Sequence, residues 1–330
     1  MRLVSITKQK QISETMILVT GAAGQIGTEL VSELRQRHGP QNVLAGRHKT
    51  PLPEEIASSG PSEIVDVTNL DQLKAIVQNH NVTRIFHLSS ILSALAESNI
   101  HAAHQVNING VFNILTVALE ANVEQVIIPS SIAAFGADTP RESTPNDTIQ
   151  RPSTTYGISK VFTELMGNYF YTRFKLDVRG LRLPGVLSWK TEPTAGTTDY
   201  AVAMFYGAIA HNKYECYLGP DTILPMMYMP DAIKSLLALS TASINTLSHH
   251  SDFNVHAMSF TPSELASAIK KINPQFSITY NVDPLRQSIA DSWPSSLDDS
   301  AARKEWGWQP DFDMAALVND MYSNLEDKLK

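Results

Sequence analysis

The chain has 330 residues, of which 43% are hydrophobic and 18% charged, with a formal net charge of −7. That length suits one large α/β domain or two packed ones with a self-sufficient core, and the composition is that of a globular rather than a disordered chain. A single cysteine, Cys216, excludes an internal disulfide framework and a thiolate metal cluster; the acidic balance speaks against nucleic acid as the main partner, and no apolar run reaches the ~18–20 residues of a membrane helix.

Residues 1–15 carry Arg2, Lys8 and Lys10 with no acid before Glu14, a composition compatible with a short mitochondrial presequence or with a disordered tail. From Met16 onward, short apolar runs alternate with stretches of helical period. Residues 16–20, 42–45, 63–65, 84–88, 125–129 and 177–183 read as strands, nearly continuously apolar as in a sheet buried on both faces. Residues 28–38, 70–79, 107–121 and 156–174 read as helices. The alternation predicts a Rossmann-like, doubly wound parallel sheet over residues 16–182. After about Arg182, Pro and Gly punctuate a looser pattern, giving a smaller substrate lobe over 183–330, parts of which return to the first sheet. In it, Thr261-Pro262-Ser263-Glu264 is a helix start, with Thr261 able to cap and Pro262 at the first helical position. A substrate belongs in the cleft between the lobes.

Thr20-Gly21-Ala22-Ala23-Gly24-Gln25-Ile26-Gly27 closes the first strand and opens the first helix. A tight turn, close backbone approach and a helix N-terminus together suit the pyrophosphate of a dinucleotide. About 20 residues on, where a carboxylate would hold a ribose 2′-hydroxyl, the chain has Gly46-Arg47-His48-Lys49. Arg47 suits a 2′-phosphate and hence NADP; a solvent-facing basic turn is the other account. Asp66, with Val67 after it, ends the third strand beside the expected adenine pocket, or else caps a helix.

Tyr156-Gly157-Ile158-Ser159-Lys160 places a phenol and an ammonium four residues apart, on one helix face. Lys160 and a positively charged nicotinamide would both favour the phenolate and lower a pKa that is about 10 in isolation. Such a group is a general base for an alcohol whose carbon loses hydride. Ser130 and Ser131 end an apolar strand upstream, and Ser131 would hydrogen-bond the substrate oxygen; serines after a strand also simply form loops. His249-His250 reads as a polar surface turn with no third ligand at metal-site spacing, so no metal is expected. Cys216 reads as a small buried hydrophobe.

The glycine spacing and the Ser/Tyr/Lys set resemble the extended branch of the short-chain dehydrogenase/reductase superfamily. The stretches Gly196-Thr197-Thr198-Asp199-Tyr200, Pro225-Met226-Met227-Tyr228-Met229 and Ala290-Asp291-Ser292-Trp293-Pro294 resemble more narrowly the short-chain-type L-threonine 3-dehydrogenases, over the whole chain beyond its N-terminal tail. The resemblance implies oxidation of L-threonine to 2-amino-3-oxobutanoate with hydride passing to NAD. Ser131, Tyr156 and Lys160 would be catalytic, and Ser93, Ser131, Tyr156, Thr198 and Trp293 would contact substrate. Gly21, Gly24, Gln25, Ile26, Gly27, Arg47, Asp66, Val67, Leu88, Tyr156, Lys160 and Pro184 would contact the cofactor. The backbone at His87-Leu88-Ser89-Ser90 would pass the cofactor ribose, and Asn107 would support Lys160 through water. Arg47 departs from the family, whose members commonly carry an acid there. The resemblance also implies a homodimer built on the helices 107–121 and 156–174, and a mitochondrial location, with the cytoplasm as the alternative. A nucleotide-sugar epimerase or dehydratase of the same branch, and a non-catalytic NAD-binding sensor, are the competing functions.

Overall fold

The computed structural model describes residues 15–193 and 196–330, so the basic segment before residue 15 lies outside the described residues. The strands β1 (Met16–Thr20), β2 (Val43–Arg47), β3 (Ser62–Ile64), β4 (Val82–His87), β5 (Gln125–Ile127), β6 (Ser130–Ser131) and β7 (Asp177–Arg179) come first. Six of them form an all-parallel sheet in the order β3-β2-β1-β4-β5-β7, the doubly wound topology expected. The connecting helices are α1 (Gln25–His38), α2 (Glu54–Ser58), α3 (Leu70–Asn79), α4 (Ser93–Ser98), α5 (Ile100–Ala103), α6 (Gly110–Glu120) and α7 (Thr155–Phe174). Period-two alternation splits β1 between the two faces. Ile17 and Val19 pack with Leu30 and Leu34 of α1, while Leu18 packs with Leu73 of α3 and Ile114 of α6.

Two expected strands break where the sheet frays. The run 177–183 divides at Gly180, whose N–H donates to His250 O at 2.8 Å and whose carbonyl accepts from Phe253 N at 3.3 Å. Those bonds turn the chain out of β7 into β8 (Leu181–Leu183), which pairs with β6 rather than β5. The run 125–129 likewise stops at Ile127 and resumes as β6, carrying Ser130 and Ser131 beyond the main sheet edge. The helix expected from residue 107 starts earlier, as α4, α5 and a π-helical turn at His104–Asn109 leading into α6.

The rest of the chain supplies β9 (Gly185–Leu187), α8 (Tyr200–His211), β10 (Lys213–Cys216), β11 (Leu224–Tyr228), α9 (Met229–Thr241), β12 (Phe253–Asn254), β13 (Met258–Phe260), α10 (Pro262–Ile272), β14 (Ser277–Tyr280), α11 (Pro284–Asp291), α12 (Ser300–Trp306) and α13 (Met314–Leu329). Strand β12 joins β8 in parallel, and β11 pairs parallel with β9 and antiparallel with β13. Strand β11 is the shared wall: Met226 and Tyr228 face the core built on α8, α10 and α13, while Met227 faces the core under α1 and α9. The predicted start of α10 forms a full capping box, with Glu264 N donating to Thr261 Oγ1 and Thr261 N donating to the Glu264 carboxylate. Cys216 is buried, as expected. No helix among the described residues is long and apolar enough to cross a membrane.

Candidate active site

The C-terminal ends of β1, β4 and β6 open into a cleft whose other wall comes from residues of the chain after Arg182. Gly21, Gly24, Gln25, Ile26, Gly27, Leu88, Ser93, Ser131, Tyr156, Lys160, Pro184, Thr198 and Trp293 all line it. Gly21 takes a left-handed φ of +71°, and a Cβ there would sit 2.8 Å from Leu88 C, so only glycine lets the turn pass under β4. At Gly27 a Cβ would meet Gly21 O at 2.1 Å. Gly24 caps α1 without a side-chain bond and the first turn holds no acid. The leading amides of this helix therefore have neither an intrahelical nor a cap partner, which leaves them to an anion. The cradle fits a dinucleotide pyrophosphate.

At the other end, Thr154 caps α7 by accepting from Gly157 N at 3.0 Å, which starts the helix so that Tyr156 and Lys160 face the cleft. The Lys160 ammonium lies 5.3 Å from the Tyr156 ring centroid and donates to Pro129 O at 2.9 Å. Ser131 Oγ accepts from Ala133 N at 3.2 Å, and its hydroxyl acts on the Tyr156 phenol across the cleft they both line. Tyr156 is 9% exposed. Its titration runs opposite to the sequence expectation: burial pushes the phenol up to about 12, and the Ser131 hydroxyl only partly opposes this. Burial brings the Lys160 ammonium down to about 8, with the Glu164 carboxylate acting against the shift. His87 lines the same cleft, its Nδ1 2.7 Å from Thr20 Oγ1 and its Nε2 without a partner. Burial, then the charge of Lys160, lowers His87 to about 3, so the ring is neutral.

Asn107 is tied to the loop that follows β4. Its Oδ1 accepts from Ile91 N at 2.8 Å and from Ser90 Oγ at 3.2 Å, and its Nδ2 donates to Ile91 O at 2.9 Å. Its side chain therefore pins the loop that delivers Ser93. Across the cleft, the bare Cα of Gly185 lets Thr198 pack against β9; a Cβ there would meet Thr198 Cγ2 at 2.7 Å. The neighbouring Thr197 hydroxyl is buried in the cleft wall with no hydrogen-bond partner among the described residues.

Arg47, Asp66 and Val67 do not line this cleft. Arg47 follows the β1–β2 pairing of Thr20 with Gly46, so it stands beside the glycine turn, half-buried and donating to His48 O at 3.2 Å. Asp66 Oδ1 is occupied by Thr68, accepting from its N at 2.9 Å and its Oγ1 at 2.7 Å. Burial of Asp66 works upward, but the Thr68 bonds and the charges of His48 and Lys49 leave its carboxyl lowered. The helix-cap alternative for Asp66 fails, because Asn69 caps α3. Val67 is buried and its carbonyl accepts from Asn113 Nδ2 at 3.0 Å. Nor is the His249-His250 pair a plain surface turn. His249 Nδ1 lies 3.8 Å from Asp147 Oδ1 and 3.9 Å from Asp252 Oδ1, carboxylates the fold brings in from outside the dipeptide, and His250 stacks on Tyr171 at 3.5 Å.

The residues that sequence reasoning missed lie beneath the catalytic face. Glu164 and Arg182 form a buried ion pair of 2.8 Å that also engages Ser130 and Gln150. The Glu164 position, one further four-residue step after Tyr156 and Lys160, is the signal that could have found it.

Comparison with known proteins places this geometry. The profile of the NAD dependent epimerase/dehydratase family matches residues 17–255. The mitochondrial L-threonine 3-dehydrogenase of Bos taurus is 47% identical over 315 residues, 96% of this chain and 84% of its own. The X-ray structure of L-threonine dehydrogenase from Clostridium difficile superposes with a TM-score of 0.93 at 46% identity, covering 95% of this chain and 98% of that one. A monomeric L-threonine 3-dehydrogenase from a metagenome superposes at 0.91 with 41% identity, covering 96% and 100%. With a parallel six-stranded sheet, a glycine cradle at its edge and a family match over most of its length, the chain belongs to the NAD-dependent epimerase/dehydratase family.

Proposed function

We propose that this chain oxidises L-threonine at its β-carbon to 2-amino-3-oxobutanoate, with hydride passing to NAD. The observation that carries the reading is the convergence of Ser131, Tyr156 and Lys160 on the cleft that the glycine turn opens, with Thr198 and Trp293 on its far wall. When bound, NAD supplies the hydride acceptor and a positive ring beside the phenol. The chain's own residues do the rest. Lys160, with its ammonium held near 8, is mostly charged at neutral pH and favours the phenolate against the burial that resists it. Ser131 holds the substrate hydroxyl against Tyr156. The phenolate oxygen takes the hydroxyl proton as the C–H electron pair departs with the hydride and the C–O bond becomes a carbonyl. Ser93 and Thr198 hold the amino-acid end, and Trp293 covers it.

The cradle of Gly21, Gly24, Gln25, Ile26 and Gly27 takes the pyrophosphate, and Leu88 and Pro184 flank the nicotinamide half. Arg47, Asp66 and Val67 belong to the adenosine end, outside the main cleft; there the reading is NAD rather than NADP, because Arg47 has no second cation beside it dedicated to a phosphate. Residues 16–182 form the dinucleotide-binding domain and 183–330 mainly the substrate lobe. The chain forms a homodimer through α6 and α7, an assignment supported by the exposed apolar side chains of Phe112, Ile158, Leu165 and Tyr169 on those two helices. A mitochondrial location is supported by the basic residues Arg2, Lys8 and Lys10 and by the mitochondrial name of the bovine relative.

The test is cofactor reduction by purified protein across L-threonine, L-serine, L-allo-threonine and UDP-sugars. NAD reduction with L-threonine as the preferred substrate is expected; turnover confined to UDP-sugars, or none with any alcohol, overturns the reading. Sedimentation velocity at micromolar concentration tests the dimer, and a single monomeric species overturns it.

A further inference from the structure

Three polar side chains follow one another down a single face of α7 at four-residue intervals: Tyr156, Lys160 and Glu164. Glu164 is 1% exposed and Arg182, reaching across from β8, is 2% exposed. Glu164 Oε1 accepts from Arg182 Nε at 3.0 Å and from the Ser130 hydroxyl; Oε2 accepts from Arg182 Nη2 at 2.8 Å and from Gln150 Nε2 at 2.6 Å. The remaining guanidinium nitrogen donates to Asn146 O at 2.8 Å and Asn254 Oδ1 at 3.1 Å, and the group lies 4.8 Å from the centre of the Phe135 ring. So complete a set of partners makes a buried ion pair tolerable, yet well-packed apolar side chains would serve the fold as well. The location of the pair supplies a reason for it. Ser130, held by Glu164, is the neighbour of Ser131 on β6, and Pro129, whose carbonyl takes the Lys160 ammonium, precedes Ser130. The carboxylate thus ties the strand end that carries Ser131 to the helix that carries Tyr156 and Lys160, and stands one turn below the ammonium.

We propose that Glu164, held in place by Arg182, is a positioning residue for the Ser131–Tyr156–Lys160 site: through Ser130 it sets Ser131 against the phenol, and its negative charge keeps Lys160 an ammonium. The groups that interact with Lys160 are His87 from β4, neutral in this setting, and Tyr156 and Glu164 on α7 itself; Arg182 from β8 is paired to Glu164, which cancels its charge. Removing Glu164 alone therefore takes away the nearest anion and uncovers a cation, and both changes disfavour the ammonium. The consequence for turnover rests on the dehydrogenase reading above; the consequence for Lys160 does not.

The experiment compares wild type, Glu164→Gln and the double variant Glu164→Gln/Arg182→Met. The pH midpoint of Lys160 acetylation by acetic anhydride, read by peptide mass spectrometry with no substrate present, falls by about one unit or more in Glu164→Gln. In the double variant, which buries no unpaired charge, it falls by less but stays below wild type. The kcat for cofactor reduction by L-threonine drops by about ten- to a hundredfold in Glu164→Gln, its basic limb, where Lys160 loses its proton, moves to lower pH, and KM for L-threonine changes little. Wild-type midpoints and limbs in variants that have lost only thermal stability would make the pair a structural staple and overturn the proposal. If Glu164→Gln does not fold, the double variant decides alone: a midpoint equal to that of wild type overturns, a lower one supports. A shifted acetylation midpoint in a protein without threonine activity would sink the proposed function and leave the positioning role of Glu164 standing.

Discussion

The two ends of the sheet's C-terminal edge are built on opposite principles. At the β2–β3 end, charged groups stand half in solvent and are bound to near neighbours in the chain: Arg47 to the carbonyl of the next residue, Asp66 to Thr68 two residues on. At the β5–β8 end, the charges of Glu164 and Arg182 are buried, that of Lys160 is half-buried, and they are bound to Pro129 and Ser130 at the start of β6, the loop around Asn146 and Gln150, and Asn254 of β12. Between them, the glycine cradle uses no side chain at all. Solvated charges at the first end can reorient at little cost, whereas each buried charge at the second is fixed by several elements. The proton transfer proposed for Tyr156 sits at the end where positions are over-determined.

If that contrast is right, the largest single effect lies at the phenol. Tyr156→Phe removes the proposed proton acceptor while leaving the ring in its packing, so kcat for L-threonine is expected to fall by about 10²–10⁴-fold, the usual contribution of a general base. NAD affinity, titrated by nicotinamide-dependent fluorescence quenching, stays near that of wild type. Turnover within a few-fold of wild type would remove Tyr156 from the mechanism. Next comes the cradle. In Gly27→Ala the new methyl meets a carbonyl 2.1 Å away, so the turn must open. Overpacking of this kind costs about 1–3 kcal/mol, which weakens NAD binding by about ten- to a hundredfold; unchanged affinity would show that the turn yields freely.

A pH experiment probes the buried end from another direction. Folded His87 takes up a proton only near pH 3, whereas in the unfolded chain it does so near 6.5. Between those values the unfolded state binds more protons, so stability contributed by neutral His87 is present above about 6.5 and is lost as pH falls towards 3. In His87→Asn, the urea midpoint therefore declines less steeply with falling pH across that window than in wild type. Parallel declines would mean that the ring is not held neutral by its burial.

These differences also account for what could be read from the sequence. The glycine turn, the Tyr156/Lys160 pair and the capping box at Thr261 are all set by residues within a turn or two of one another, where spacing alone fixes geometry. Strands β1, β2 and β5 were legible because burial on both faces leaves an apolar run. The break at Gly180 was not, since it depends on bonds with His250 and Phe253, some 70 residues downstream, and neither was the break after Ile127, where the chain leaves the main sheet to pair with β8. Sequence order likewise gives no hint that the Asn107 side chain is taken up by Ile91 and Ser90. The Tyr156 phenol was expected to be lowered because charges are visible in a sequence, whereas burial, which dominates, is a property of the packed fold. Glu164 and Arg182 escaped for a similar reason: charged residues on a helix and a strand read as solvent-facing until the fold covers them.

The smallest effect, and the sharpest test of the contrast, is at Arg47. Its guanidinium makes a single 3.2 Å bond to an adjacent carbonyl, and its neighbours His48 and Lys49 are exposed. Exposed charges of this sort contribute about 1 kcal/mol or less. Arg47→Ala should accordingly change NAD affinity by less than about fivefold and leave kcat for L-threonine untouched. Wild type should use NAD in preference to NADP, since one arginine without a second phosphate partner gives a 2′-phosphate little to hold. Steady-state kinetics of wild type, Arg47→Ala and Arg47→Asp with both cofactors measure this directly. Should wild type strongly prefer NADP and Arg47→Asp reverse the ratio, the adenosine end would prove no less specialised than the catalytic end. The basic turn of Arg47, His48 and Lys49 would then be a phosphate site that closes only around its ligand.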